Sequence, residues 1–344
     1  MNMIRVLVVD DSPLIRAVLT EVLQQAQDIE VIGTANDPYQ ARDLIKQLNP
    51  DVLTLDVEMP KMDGVSFLKN LMRLRPMPVV MISTLTQQGA PVTLECLELG
   101  AVDFVAKPTQ QVGDKLLDYA QILHEKIRAA AKAKVRSLKP ASSKAPKPVI
   151  GNVDNTKLVA IGASTGGTEA IKELLTGLPD SFPPIVITQH IPPVFSASFA
   201  ERMDRSVALK VKEAEDGELI KPSHVYIAPG DYHLAVVGVA GSLKCKVMQS
   251  PPVNRHRPAV DVLFKSIAKL ELGNKVCASI LTGMGADGAA GLLKLKEFDA
   301  YTLAQDEASS VVWGMPRAAI ELDAAQQVLS LDAFAAEITN WAKK

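Results

Sequence analysis

IRVLVVDDSP, residues 4–13, decides how the first half of the chain is read. Five branched apolar residues in six, interrupted only by Arg5, suit a strand buried on both faces, and the chain then turns at once into two carboxylates and a Ser-Pro helix start. Apolar runs of the same kind recur at 29–33, 52–55, 79–82 and 102–106. Between and after them lie amphipathic stretches near 13–26, 38–48, 64–75, 89–99 and 113–132. Five strands alternating with five helices predict an α/β unit with a five-stranded parallel sheet covered on both faces.

Polar residues cluster where these strands end. Asp10 and Asp11 follow the first strand, Asp56 the third, Thr84 the fourth and Lys107 the fifth. Strand carboxyl ends of an open parallel sheet line one crevice, where ligands bind. Three carboxylates meeting there repel one another unless a hard cation sits among them, and Mg²⁺ suits such an all-oxygen set. Asp56 could then attack a phosphoryl group, with Lys107 helping to neutralise the transferred charge. A cis Lys107–Pro108 bond would aim Lys107 inward. The competing reading is that loop aspartates cap helices, as Asp11 or Ser12 could do just before Pro13.

The motifs VVDDSP (8–13), LDVEMPKMDG (55–64), IST (82–84) and FVAKP (104–108) resemble those of response-regulator receiver domains over about 120 residues. The resemblance implies a flavodoxin-like sheet and phosphorylation of Asp56 by a partner histidine kinase. It implies Mg²⁺ held by Asp10, Asp11, Asp56 and the backbone of Glu58. Thr84 and Phe104 match the switch pair of that family, and Lys107 joins them as a switch residue.

The second half also begins with a strand, KLVAIG (157–162), then GASTGG (162–167), then a helical stretch TEAIKELLTGL (168–178). Further strands are expected at 184–190, 224–230, 245–249 and 276–283, giving a doubly wound α/β domain. Gly162-x-Ser164-x-Gly166 fits a nucleophile elbow, in which a sharp turn presents a serine hydroxyl. Two other readings stay open on these six residues. The turn could bind dinucleotide phosphates, although it is not GxGxxG and the next strand ends in Gln189-His190 instead of an acid. Ser164 or Thr165 could simply cap the helix.

A nucleophilic serine needs a base and an orienting acid. Of five histidines, His124 reads as a surface residue of the helix before the linker, and His224 begins a strand at the far end of the sheet. His233 follows a turn, and His256 in NRHRP suits substrate or structural contacts. His190 ends an apolar strand on the same edge as Ser164 and is the favoured base. Asp287, in the glycine-rich LTGMGADGAAGL (281–292), is the acid of that turn. It either caps the following helix or reaches Nδ1 of the imidazole to orient it. Backbone amides around Met284 could bind an oxyanion.

VAIGASTGG (159–167), QHIPP (189–193), VYIAPG (225–230), VNRHRPAVDVLF (253–264) and LTGMGADGA (281–289) together resemble the catalytic domain of chemotaxis protein-glutamate methylesterases. The resemblance spans about 155–340. It implies Ser164 as nucleophile, His190 as base, Asp287 as orienter, and Thr165 and Met284 as accompanying active-site positions. It implies hydrolysis of glutamyl methyl esters, with deamidation of glutamines, on methyl-accepting chemoreceptors. No cofactor is expected for that step. By the same resemblance, phosphorylation of the receiver relieves its cover over the esterase crevice.

Charge and composition agree with this division. Residues 1–124 are net −6, residues 125–151 net +7 and residues 152–344 net −3, within a 344-residue chain of net −2. The basic block contains KPASSKAPKP (139–148), which cannot build a core and reads as a tether. The expected domains are therefore a receiver at 1–124, a linker at 125–151 and a catalytic domain at 152–344. No global basic excess favours nucleic acid, and no apolar run suits membrane insertion. Cys96, Cys245 and Cys277 show neither disulfide nor metal spacing, and a cytoplasmic setting is expected. The alternative is a response regulator whose output domain binds DNA or docks on receptors without catalysis.

Overall fold

The computed structural model describes residues 3–84, 86, 89–108, 116–135 and 153–343. It divides into two compact units, Met1–Ser142 and Ser143–Lys344. Most of the expected linker, including KPASSKAPKP, lies outside the described residues.

The first unit alternates as β1 (Ile4–Val9), α1 (Pro13–Gln24), β2 (Ile29–Ala35), α2 (Pro38–Leu48), β3 (Val52–Asp56), α3 (Gly64–Leu74), β4 (Val79–Ser83), α4 (Ala90–Glu98), β5 (Asp103–Ala106) and α5 (Leu116–Lys132). Its strands pair in parallel in the order β2-β1-β3-β4-β5, the flavodoxin-like arrangement. Every residue of β3 and β4 is buried, as expected of central strands covered by helices on both faces. Helix starts are set by side-chain caps: Ser12 accepts from the Ile15 amide, Asp37 from Tyr39 and Gln40, and Asp63 from Ser66. Ser12 therefore caps α1, and Asp11 does not.

Helix α5 carries the fold past residue 124. Its Ile127, Ala129 and Ala130 are buried, and Arg128 forks onto Asp28 at 2.6 and 2.7 Å. His124, expected at the surface, is buried instead, and its Nε2–H donates to the Val22 carbonyl at 2.7 Å. The reason is register: Leu123 and Ile127 set the apolar stripe of α5, and residue 124 falls on its inner edge.

The second unit contains β6 (Leu158–Ala163), α6 (Gly167–Thr176), β7 (Ile185–Gln189), α7 (Pro193–Ser206), β8 (Lys210–Glu213), β9 (His224–Ile227), β10 (His233–Val239), β11 (Ser242–Met248), α8 (Val260–Ala268), β12 (Val276–Ile280), α9 (Ala289–Glu297), β13 (Tyr301–Gln305), α10 (Met315–Glu321), β14 (Gln327–Leu329) and α11 (Leu331–Ala342). Seven strands form one parallel sheet in the order β14-β13-β12-β6-β7-β9-β8. The 245–249 run belongs to β11, which pairs with β10 as an antiparallel hairpin and is bridged on its other edge at Leu219–Lys244. The chain fills one side of β6 first, with β7, β8 and β9, and the other side later, with β12 to β14. That reversal opens a crevice at the carboxyl ends of β6 and β12. Among the described residues, no helix is long and apolar enough to cross a membrane, and the three cysteines are buried and free.

Candidate functional site

Ser164 follows β6, His190 follows β7 and Asp287 lies between β12 and α9, so the three come from adjacent strands of one sheet. Backbone bonds lock the edge together. The Ser164 amide donates to the Thr282 carbonyl at 3.0 Å, and the His190 amide donates to the Ala163 carbonyl at 3.0 Å. Gln189 donates through Nε2 to the Ser164 carbonyl at 2.9 Å. Close approach explains the glycines: a Cβ at Gly283 would sit 2.8 Å from Ser164 Cβ, and one at Gly162 would sit 2.3 Å from Val260 Cγ1. Neither Ser164 nor Thr165 caps α6, whose N-cap is Gly166 at φ +76° with no side-chain bond. Ser164 is half-buried, Thr165 is buried, and the Thr165 carbonyl accepts from the Thr282 hydroxyl. Met284 is half-buried beside Gly283, whose carbonyl accepts from the Gly314 and Met315 amides.

Asp287 does not cap α9, whose N-cap Gly288 has no side-chain bond. Its carboxylate instead meets the start of α8, accepting from the amides of Val260 at 2.6 Å and Asp261 at 3.2 Å. Asn254 Nδ2 donates to it at 2.7 Å, and His190 Nε2 stands 2.8 Å from Oδ2. The contact is through Nε2 and not through the expected Nδ1, because β7 delivers the ring with its far nitrogen toward the β12 loop. Nδ1 is buried and has no hydrogen-bond partner. Burial pushes the Asp287 carboxyl up, but His190, Asn254 and the Val260 amide outweigh it and hold the group below the usual carboxylate range. Charge-assisted bonds worth ~1.5–3 kcal/mol each suffice to offset a desolvation cost of several kcal/mol.

The remaining histidines sort by their contacts. His233 is fully buried between the Pro251 carbonyl and the Ala259 amide, a structural role. His224 is bonded to the Pro222 carbonyl at the opposite strand end. His256 stacks on His190 with ring centroids 3.7 Å apart and planes 13° apart. Asn254, the Val260 amide and this stacking were not legible from spacing, since all reach the site from a loop far along the chain. The one cis peptide among the described residues is Arg257–Pro258; Lys107–Pro108, where a cis bond was open on the sequence, is not cis.

In the first unit, carboxylate oxygens of Asp10, Asp11 and Asp56 lie within 4.8 Å of one another. Lys107 Nζ is 2.8 Å from Asp56 Oδ2 and 3.5 Å from Asp10 Oδ2. Those two oxygens are buried, and the Lys107 ammonium is the partner they share. Asp56 Oδ1 accepts from the Glu58 amide at 3.3 Å. Burial raises the Asp56 carboxyl to about 6 despite Lys107, and burial likewise raises Asp10. An all-oxygen cluster of three carboxylates, whose two buried oxygens share a single ammonium, fits a hard divalent cation of the Mg²⁺ type. Gly64 is required beside it, since a Cβ there would sit 2.0 Å from the Asp56 carbonyl oxygen. Thr84 is half-buried at the end of β4, and Phe104 is buried in β5 beneath Lys126, 5.1 Å from its ring centre.

Residues 159–338 match the CheB methylesterase family and residues 6–119 the response regulator receiver domain family. The chain is 56% identical over 349 residues to protein-glutamate methylesterase/protein-glutamine glutaminase 1 of Hahella chejuensis, covering 98% of this chain and 96% of the relative. It is 53% identical over 331 residues to the corresponding enzyme of Salmonella typhi, covering 96% and 95%. The crystal structure of the Thermotoga maritima CheB methylesterase catalytic domain is 41% identical with a TM-score of 0.52, covering 54% of this chain and 97% of that one.

Proposed function

The chain belongs to the CheB family of protein-glutamate methylesterase/protein-glutamine glutaminases, regulated by a receiver domain and acting in chemotactic adaptation, and on that premise we propose that Ser164, His190 and Asp287 carry its chemistry. The observation that supports this most is the His190–Asp287 bond, which leaves Nδ1 of His190 buried and unpartnered on the strand edge next to Ser164.

With its proton held on Nε2 by Asp287, His190 keeps a lone pair on Nδ1. Ser164 Oγ attacks the γ-carbonyl of a glutamyl methyl ester and passes its proton to Nδ1. The imidazolium, stabilised by Asp287, returns that proton to the departing methoxide, releasing methanol. Water then attacks the acyl-serine by the same proton route and frees the glutamate carboxylate. A glutamine side chain follows the same path with ammonia as leaving group. Thr165 and Met284 sit beside the reacting carbonyl and supply backbone donors for its oxyanion. The steps as written use protein groups and one water.

In the receiver, Asp56 accepts the phosphoryl group and Lys107 holds its charge. Asp10, Asp11, Asp56 and the Glu58 carbonyl would hold Mg²⁺, which when bound neutralises phosphoryl oxygens. Thr84 and Phe104 relay the change. The phosphodonor is a chemotaxis histidine kinase, and the substrates are cytoplasmic helices of methyl-accepting receptors. Nucleic acid and membrane insertion have no part, and the setting is the cytoplasm. The receiver closes with α5 at Lys132, the linker runs from there to 151 and the catalytic domain fills 152–344.

Methanol release from methylated receptor membranes tests the reading. Ser164→Ala abolishes it and a phosphodonor raises it in the wild type. Unchanged release from Ser164→Ala removes the nucleophile.

A further inference from the structure

We propose that the four-residue turn Val253 to His256 is a clamp on the catalytic dyad, with His256 as a positioning residue that sets the plane of the His190 ring. The inference deepens the reading above and rests on His190 being the base.

The need for such a device follows from the geometry. The χ2 torsion of histidine is broad, with no strong intrinsic preference. A single bond from Nε2 to Asp287 restrains the far tip of the ring and leaves it free to swing about its long axis. That swing moves Nδ1, the atom that must meet Ser164. His256 lies flat against the ring at 3.7 Å and 13°. A second ring at contact distance blocks the swing on that face.

The turn is built to hold its own place. Val253 and His256 exchange backbone bonds in both directions, at 3.0 and 2.9 Å. The two residues between them are left-handed, Asn254 at φ +52° and Arg255 at φ +66°. That is the signature of a tight type I′ turn, with a side chain where glycine is more at ease at Arg255. Such a conformation persists only where the surroundings over-determine it. Here Asn254 bonds both Asp287 and Asp261, at 2.7 and 3.2 Å, and Arg257 just beyond bonds Asp231 and the Ser250 carbonyl. One turn thus delivers Asn254 to the acid and His256 to the base. Any shift of the turn moves both partners together and keeps the dyad in register.

The test uses the full-length chain with a phosphodonor and methylated receptor membranes. His256→Leu, which keeps bulk without a flat face, is expected to lower kcat at least about tenfold with KM unchanged, within the ~100-fold that a 1 Å misplacement costs. His256→Phe, which keeps the flat face without the nitrogens, is expected to recover most of the loss. In ¹⁵N spectra of the imidazoles, His190 shows one Nε2–H tautomer in the wild type and His256→Phe, and a broadened or mixed signal in His256→Leu. Wild-type kcat in His256→Leu overturns the clamp, as does a His256→Phe no better than His256→Leu while folded. Ser164→Ala separates the two ideas: residual activity there overturns the nucleophile assignment, whereas an inactive Ser164→Ala with normal His256→Leu overturns only the clamp.

Discussion

Asp287 meets His190 through Nε2, at 2.8 Å, and the other nitrogen of that ring is buried without a partner. A carboxylate fixes the imidazole proton on the nitrogen it faces, so the basic lone pair is on Nδ1. The same carboxylate accepts the first two amides of α8 and the Asn254 side chain. Four donors on one buried carboxylate make it a hub of the site.

Replacing that hub isosterically should cost the tautomer without the fold. Asp287→Asn turns one acceptor atom into a donor and no longer holds the proton on Nε2. Methanol release should fall by about 10⁴-fold, as when a triad acid is made neutral. Near wild-type turnover would show that the orienting role lies elsewhere.

The elbow depends on a missing Cβ. Gly162→Ala would put a carbon 2.3 Å from Val260 Cγ1, and Val260 is the residue whose amide holds Asp287. Overpacking of this kind costs about 1–3 kcal/mol, and the displaced α8 start should slow catalysis as well. Both tryptophans, Trp313 and Trp341, lie in the second unit, so their fluorescence in urea reports its stability alone. Adding Val260→Ala should recover part of the stability; a double variant as weak as Gly162→Ala would place the damage elsewhere.

The Asp56 carboxyl titrates near 6 in the folded chain against an ordinary 3.8. Because the folded value is raised, its contribution to stability is complete below about pH 3.8 and is lost as pH rises through 6. Asp56→Asn removes that loss. Without divalent metal it should stabilise the first unit by about 1–3 kcal/mol at pH 7.5 and by less at pH 5. Unfolding followed by circular dichroism at the two pH values checks this. Equal gains at both would mean that ionisation of Asp56 is not the cause.

The acidic cluster should bind divalent cations only as a set. Asp10→Asn removes one of its two buried anionic ligands and is expected to weaken Mg²⁺ binding about tenfold or more, by analogy with the 10–100-fold cost of altering even outer-shell groups. Calorimetric titration of the full chain measures it. Unaltered affinity would place the cation away from Asp10.

Much of this was readable beforehand because apolar runs have sharp ends. The five strands of the first unit follow from runs such as VLTLD and VVMIS, whose every residue is buried. Elements with weaker patterns were not readable. β8 (KVKE) and β14 (QVL) are short and part-exposed edge strands, and HLAVVGV, though apolar, pairs only in a hairpin outside the main sheet. His124 was misread because one position on a helix separates its exposed face from its buried edge.

By itself the sequence determined where the strands that carry the sites end, and therefore that Asp10, Asp56, Ser164 and His190 stand at carboxyl edges of parallel sheets. Local propensity and hydrophobic period suffice for that, since both act within a few residues. The tertiary structure alone decided that β12, β6 and β7 are neighbours, that Nε2 faces Asp287, and that the 253–256 turn closes over the dyad. Those contacts join residues as far apart in the chain as Leu158 and Val276, and depend on strand order and on one loosely preferred side-chain torsion, neither of which local sequence encodes.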